Sequence, residues 1–155
     1  MGISYSVDVD EEISAKAIGR ERKVSLKNSV ELAKHIKGMS VEEARETLEA
    51  VRDGEKAVPF KSHNSGVGHR KNLEGWDAGR FPEKASKELL KVLENASSNA
   101  EYKGLDPDDM KIHHVAAHKV DEVEGMKPRA FGRATQWNSP IIDIEMILIE
   151  EEGEE

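Results

Sequence analysis

The stretch that decides the fold runs from Met110 to Glu150 and reads MKIHHVAAHKVDEVEGMKPRAFGRATQWNSPIIDIEMILIE. Its two ends, Met110 to Val120 and Gln136 to Ile149, alternate between apolar and polar residues, which is the period of a half-buried strand. Between them, residues 127–135 (KPRAFGRAT) hold three cations and no acid. The pattern predicts two paired strands that are joined through a long β-hairpin with a basic tip.

The returning strand of this hairpin has one clearly apolar face. Asp143 and Glu145 are expected to point away from that face, because successive side chains of a strand point to opposite sides. The apolar face comprises Ile142, Ile144, Met146 and Leu148. If residues 121–139 extend beyond the core, each arm of about nine residues spans roughly 30 Å at ~3.3 Å per residue. An isolated hairpin of that length is marginal in water, so we expect a partner to order it.

Three amphipathic helices are predicted ahead of these strands. Ser25 and Ser40 are candidate N-caps, and Ser40 begins an S-x-x-E capping box. Pro82 suits the first turn of the third helix. Glycines 38, 54 and 104 mark the ends of the helices. The apolar positions at helical spacing are expected to form the core: Leu26, Val30 and Ala33, then Val41, Ala44, Leu48 and Val51, then Ala85, Leu89, Val92, Ala96 and Ala100.

The order of elements predicts an α+β fold. A further short strand is expected at Ser4 to Asp10, where Tyr5, Val7 and Val9 alternate with polar residues. Strand, helices and paired strands together indicate three helices packed on one face of a small antiparallel sheet, with a long protruding β-hairpin. The 155 residues are expected to form a single domain. Its parts would be a body of about 1–120 and 136–150, an insertion at 56–82, a hairpin at 118–139 and an acidic tail at 150–155.

Composition bounds the cellular context. The chain has no cysteine, which excludes disulfides and thiolate metal sites. It has no apolar run near the roughly 20 residues that span a bilayer, and its acidic N-terminal residues do not resemble a signal peptide. We therefore expect a cytoplasmic protein that does not contact a membrane.

Charge is segregated along the chain although the formal net charge is −8. Residues 13–39 hold seven Lys or Arg against two acids, and residues 56–71 hold four cations and no acid. Separate basic blocks in an acidic chain favour a polyanion partner over surface scatter. The abundant acid is also typical of a concentrated-salt cytoplasm, where the Debye length is only about 3 Å at 1 M salt. We therefore expect a halophilic source.

The segment from Lys56 to Arg80 interrupts the helical pattern with four glycines. Its cations and histidines are interleaved with Phe60 and Trp76, and aromatic rings of this kind can stack on bases while cations meet phosphates. An unstructured surface insertion is the alternative interpretation, because composition does not separate functional loops from disordered ones.

The sequence offers little support for catalysis. His114 and His118 would share a strand face roughly 13 Å apart at ~3.3 Å per residue, too far for a common metal site. His113 would lie on the other face, and no nucleotide-binding loop or catalytic triad pattern occurs. We expect no catalytic residues, no metal and no cofactor. The alternative is a metal-dependent RNA-processing hydrolase that uses these histidines and nearby acids.

Several longer motifs carry a resemblance to a known family. They are AIGRERKVSLKNS, IKGMSVEEA, NASSNAEYKGLD and KPRAFGRATQWNSPIIDIEMIL, which together cover nearly the whole chain. The chain resembles large-subunit ribosomal protein number twenty-two, called number seventeen in eukaryotes. The segment VPFKSHNSGVGHRKNLEGWDAGRFP resembles an insertion of the archaeal and eukaryotic branch.

The resemblance implies a structural, non-catalytic protein that binds 23S rRNA across several domains. Its body would lie near the opening of the polypeptide exit tunnel, among other large-subunit proteins. Its hairpin tip would line the tunnel wall opposite ribosomal protein four and face the nascent polypeptide. The implied tip residues are Met126, Lys127, Pro128, Arg129, Ala130, Phe131, Gly132 and Arg133.

Composition and the resemblance together indicate a set of rRNA contacts: Arg20, Arg22, Lys23, Lys27, Lys61, His63, His69, Arg70, Lys71, Arg80, Lys127, Arg129, Arg133, Gln136 and Trp137. One position departs from the family pattern, since many members carry a cation where Phe131 stands. We expect its ring to stack on rRNA or pack on the opposing protein loop.

Overall fold

A computed structural model describes residues 4–150 of the chain. The elements in chain order are β1 (Ser14–Arg22), α1 (Leu26–Ile36), α2 (Val41–Arg52), β2 (Val58–Pro59), β3 (Gly79–Arg80), α3 (Glu83–Lys103), β4 (Met110–Val123), β5 (Met126–Pro128), β6 (Ala134–Gln136) and β7 (Ser139–Glu150). Most of the acidic tail predicted at 150–155 lies outside the described residues. No helix within residues 4–150 is long and apolar enough to cross a bilayer.

The main sheet has three antiparallel strands in the order β1-β7-β4. Helix α3 packs against β1 and β7, α1 packs against β4, and α2 packs on α3. The core lies between the helices and the sheet, where the apolar residues of β7 that were predicted to face it are fully buried. The α+β class and the layer of three helices are therefore confirmed.

The helix ends follow the predicted signals. The Ser25 and Ser40 hydroxyls accept hydrogen bonds from the amides of Asn28 and Glu43, at 3.4 and 3.2 Å. Gly104 ends α3 with a φ of +83°, a left-handed conformation that glycine adopts without steric cost. The predicted apolar stripes of α2 and α3 are buried.

Helix α1 is rotated relative to its predicted face. Val30 is half-buried, whereas Ala33 is buried as predicted, together with Ser29, Glu31, Leu32 and Ile36. The prediction at Val30 was wrong because it aligned the buried side of the helix with Leu26 in the first turn. Leu26 packs only partly against the core. The larger apolar side chains later in the helix determine which side faces the sheet.

The strand predicted at Ser4 to Asp10 is also wrong, because the first strand is β1. The N-terminal segment lies near the main sheet without pairing in it: the Ser6 amide donates to Glu145 Oε2 at 3.2 Å, and Lys16 Nζ lies 5.7 Å from the centre of the Tyr5 ring. Alternate residues of this segment are half-buried by the contact. The alternation therefore reflects packing on a sheet and not membership of it.

The hairpin extends well past the core. Strands β4 and β7 pair from Met110 with Glu150 to Val123 with Ser139, and β5 and β6 continue the ribbon to Pro128 with Ala134. Side chains on both faces of residues 118–137 are exposed, apart from half-buried Gly125. The body therefore gives the distal hairpin little apolar contact, as a protruding arm requires.

Candidate nucleic-acid interface

The tip of the hairpin is a tight turn with an exposed aromatic ring. Phe131 and Gly132 have φ of 62° and 66°, and the Arg133 amide donates to the Ala130 carbonyl at 3.4 Å. Positive φ at both central residues defines a type I′ turn, which favours Asn-Gly. A bulky residue in the left-handed region costs roughly 1–2 kcal/mol. The turn therefore holds the Phe131 ring, 97% exposed, at some local conformational cost.

The tip cations surround this turn. The Arg129 amide donates a hydrogen bond to the Arg133 carbonyl at 2.8 Å, so the two arginines are paired across the hairpin next to the turn. Within residues 4–150 neither guanidinium has a hydrogen bond or an ion pair. Lys127 Nζ lies 4.5 Å from the centre of the Trp137 ring, which couples two predicted contact residues. Gln136 is exposed on β6.

The insertion is folded and not loose. Strands β2 and β3 pair, and His69 bridges to Ala78 inside the loop that they enclose. Phe60 is 1% exposed, and its carbonyl accepts a hydrogen bond of 2.9 Å from the Trp76 indole. The expectation that the Phe60 and Trp76 rings stack on bases is not supported. Phe60 is buried in the core, and the Trp76 indole is hydrogen-bonded to the backbone of the insertion.

Glu31 of α1 anchors the insertion to the body. Its carboxylate accepts hydrogen bonds from three consecutive amides, those of Lys61, Ser62 and His63, at 2.9 to 3.1 Å. Burial disfavours the charged form, yet the three amides and nearby Lys34 outweigh it and lower the pKa of Glu31. The carboxylate therefore fixes the direction in which the chain enters the insertion.

We expect Glu31→Gln to loosen this entry without unfolding α1. An amide side chain keeps one acceptor oxygen and places an NH₂ group against a donor, so at least one amide loses its partner at a cost of about 1–3 kcal/mol. Hydrogen exchange of residues 61–63 should accelerate, while exchange within α3 should not change. Glu42→Gln, an exposed acid of α2, is the control; equal exchange in both variants would contradict the anchoring role.

The insertion brings three predicted contact residues together beside the start of α1. Lys27, His63 and Arg80 line one open pocket of about 320 Å³, together with polar side chains of neighbouring serines and asparagines. The Arg80 guanidinium lies 5.9 Å from the centre of the Phe60 ring, a distance at which the cation is attracted to the ring. Polar donors around such a pocket suit an anion.

The remaining cations of the insertion point elsewhere. Lys61 lies beside Lys34 and His35 at a smaller hollow of about 220 Å³. Arg70 is partly engaged, since its Nε donates to the Gly79 carbonyl at 3.3 Å and its guanidinium lies 5.2 Å from the centre of the Phe81 ring. The neighbouring His69 and Lys71 are exposed. These residues therefore lie outside the lining of the α1 pocket.

The basic residues at the end of β1 are not equivalent. Arg20 and Lys23 are exposed, whereas Arg22 is only 30% exposed and pairs with Glu88 at 3.1 Å. Its charge is partly neutralised inside the protein. A direct contact of Arg22 with a polyanion would have to compete with this ion pair.

The histidines lie closer together than the strand spacing predicted. His114 Nε2 and His118 Nε2 lie 2.8 and 3.2 Å from the same oxygen of Glu145, so the separation of roughly 13 Å predicted from the strand spacing was wrong for the two rings. Glu145 pairs with Ala116 midway between them, and both rings lean towards its carboxylate. Among residues 4–150, no group of three or more His, Asp or Glu residues has a geometry that suits a metal ion.

Glu145 is the acceptor at the centre of this network. It is 3% exposed, which disfavours its charge, but hydrogen bonds from Ser6, His114 and His118 outweigh burial and lower its pKa from 4.5 to about 2. The Ser6 hydroxyl donates to Oε1. The histidines are therefore bonded to a structural carboxylate that ties the N-terminal segment to the sheet.

Cations gathered at an exposed tip and around a pocket, on an otherwise acidic body, are typical of nucleic-acid-binding proteins. The chain belongs to the family Ribosomal protein L22p/L17e, whose model matches residues 17–149.

Curated relatives agree with this assignment. The chain is 60% identical to the large ribosomal subunit protein uL22 of Halobacterium salinarum, covering 98% of this chain and 97% of the relative. It is 58% identical to uL22 of Natronomonas pharaonis, over 99% of this chain and all of the relative, and 57% identical to uL22 of Haloarcula marismortui over the full length of both. These relatives come from halophilic archaea, as the acidic composition led us to expect.

Proposed function

We propose that the protein is a structural constituent of the large ribosomal subunit that binds 23S rRNA at several separate places. Membership of the ribosomal family carries this proposal, and the exposed cations at the tip and the α1 pocket supply matching chemistry. Lysine and arginine bind phosphate oxygens, and an exposed ring can stack on a base.

In this proposal the body sits near the opening of the polypeptide exit tunnel, in the cytoplasm, beside other large-subunit proteins. The hairpin reaches inward, and its tip, Met126 to Arg133, lines the tunnel wall opposite ribosomal protein four. The nascent polypeptide passes the tip. The exposure of both hairpin faces supports this placement, because such an arm needs rRNA on its sides.

Individual contacts follow from where the cations lie. Arg129 and Arg133 are proposed to bind phosphates on either side of the turn, and Phe131 to stack on a base or pack on the opposing loop. The α1 pocket of Lys27, His63 and Arg80 is proposed as a separate contact. The other proposed contacts are Arg20, Arg22, Lys23, Lys61, His69, Arg70, Lys71, Lys127, Gln136 and Trp137.

The protein is proposed to act by position and not by catalysis. His114 and His118 bond through Nε2 to Glu145, the carboxylate that ties the N-terminal segment to the sheet, so a structural role accounts for this cluster. Incubation of the purified protein with 23S rRNA should leave the RNA intact. Cleavage that a chelator or His114→Ala abolishes would instead support a metal-dependent hydrolase.

We expect Arg133→Ala to weaken binding of the full-length protein to 23S rRNA by about 1–3 kcal/mol, because a charge-assisted hydrogen bond to phosphate is lost. Thermal melting of the free protein should not change, since the tip contributes nothing to the core. Binding would be measured by sedimentation with rRNA in a salt series. Arg45→Ala, at an exposed arginine of α2 with no assigned contact, is the control. Equal affinity of the two variants would refute a contact at Arg133.

A further inference from the structure

We propose that a basic cleft between the end of α2 and the beginning of α3 binds the phosphodiester backbone of RNA. This inference rests on the proposed function, because it takes rRNA as the partner, and it adds a docking surface remote from the hairpin. Of its cations, only Lys23 belongs to the set that sequence reasoning assigned to rRNA.

Three separate segments build the cleft. Lys23 comes from the link after β1, Arg52 is the last residue of α2, and three lysines come from α3. The cleft is open and holds about 500 Å³, with the nearly buried side chains of Val24 and Leu90 in its wall. The lysines of α3 lie on one side of the helix at positions i, i+3 and i+7: Lys84, Lys87 and Lys91.

Part of the positive charge is already paired inside the protein. Arg52 bonds to both carboxylate oxygens of Asp53, at 2.9 and 3.2 Å, and Lys91 bonds to Glu88 at 2.9 Å. The side chains of Lys23, Lys84 and Lys87 are exposed and have no hydrogen bond or ion pair with any residue in the described range 4–150. Glu88 and Glu94 also line the cleft, so five cations face two acids there, and Lys23, Lys84 and Lys87 are the cations without a bonded partner in the described range.

The position of Lys84 opposes the usual preference of a helix. The N-terminal end of a helix carries partial positive charge and favours acids, as α2 shows with Glu42 and Glu43 in its first turn. Helix α3 begins without a side-chain cap, and Lys84 is its second residue, directly after Glu83; Lys87 lies in the following turn. Helix amides and lysine ammonium groups thus add their potentials at one end of the cleft. A bound phosphate would relieve that repulsion.

RNA is the partner that this chemistry favours. Lysine acts as a point charge towards phosphate without demanding the planar, two-pronged geometry that arginine offers a carboxylate. The two free lysines of α3 are also one helical turn apart, so they can follow consecutive anionic groups along an extended strand. An acidic protein segment is the competing occupant, and the experiment separates the two.

The absence of cysteine from the chain allows a direct test. Lys87→Cys, Phe131→Cys and Lys37→Cys would each carry one tethered iron–EDTA group in the full-length protein, assembled with 23S rRNA and the other large-subunit proteins. Locally generated hydroxyl radicals cut RNA near the tether. Lys37, exposed at the end of α1, is the matched control, because it is a lysine outside the cleft.

We expect the Lys87 probe to cut rRNA at nucleotides different from those cut by the Phe131 probe, and the Lys37 probe to cut weakly. If the tip probe cuts and the Lys87 probe cuts only neighbouring polypeptide, or nothing, the cleft proposal fails and the proposed function survives. If neither the Phe131 probe nor the Lys87 probe cuts rRNA, the proposed function and the cleft proposal are both overturned.

Measurements of affinity for 23S rRNA should agree with the cleavage experiment. Lys87→Gln should weaken affinity for 23S rRNA roughly 10-fold and lower the salt dependence of log K by about one, the effect of one lost phosphate contact. Lys37→Gln removes the same charge and should do neither. Equal salt dependence in the two variants would overturn a phosphate contact at Lys87.

Discussion

Leu89→Ala is expected to lower the free energy of unfolding by about 2–5 kcal/mol, the range for truncating a fully buried leucine. Leu89 is 0% exposed on the side of α3 that faces the core. The loss combines reduced apolar burial with a cavity that the surrounding helices and sheet cannot fully close. Chemical denaturation followed by circular dichroism, in molar KCl, would measure it.

Tyr102→Ala is the matched control for Leu89→Ala. Tyr102 lies on the same helix and is the larger side chain, but it is 94% exposed, so its truncation should change stability by no more than about 0.5 kcal/mol. Comparable losses in the two variants would mean that α3 does not bury the side assigned to the core.

Glu145→Gln is expected to cost about 3 kcal/mol of stability at neutral pH. This figure follows from the depression of the Glu145 pKa from 4.5 to about 2, at about 1.4 kcal/mol per unit. A carboxyl group whose pKa is lower in the folded state stabilises the fold above its unfolded pKa. The contribution is therefore complete above about pH 5 and disappears as the pH falls towards 2.

The test is the difference in unfolding free energy between wild type and Glu145→Gln from pH 7 down to pH 2. The difference should shrink over the lower half of that range, because both proteins then carry a neutral group at this position. Glu101→Gln, at an exposed acid of α3, should give a small difference at every pH. A difference for Glu145 that does not vary with pH would show that its charge is not what holds the network together.

Local signals made the helices predictable. Ser25, Ser40 and Gly104 act over one turn of chain, and each was found in the predicted role. The alternation of β7 was equally informative, since its apolar side chains meet the helices. These features depend on neighbours in sequence, which is why sequence reasoning reached them.

Strand β1 was missed because its inward side chains are small. Ala15, Ala17 and Gly19 give a weak apolar pattern, yet all three are buried. At Gly19 a β-carbon would lie 2.7 Å from Val92 Cγ2, so α3 approaches this strand closely. Such close packing requires small residues on β1. The requirement comes from α3, so the sequence of the strand alone does not reveal it.

The candidate site was only partly predictable for a similar reason. The chain enters the insertion in a direction fixed by Glu31, about thirty residues earlier in the chain. The histidines converge because Glu145 lies opposite them on another strand. The cleft cations are gathered from three segments. Composition identified the basic blocks, but long-range contacts decide which cations share a surface.

The strand order β1-β7-β4 has a consequence for how the protein is made. The middle strand is the last described element to be synthesised, so β1 and the three helices leave the ribosome before the strand that joins β1 to β4. Pairings between residues as distant as Ser14 and Ile149 form slowly, since a long loop must close first. Until residues 139–150 are translated, the apolar sides of the helices have no complete sheet to cover them. We therefore expect truncated chains that lack β7 to aggregate or to be captured by chaperones instead of waiting as stable intermediates.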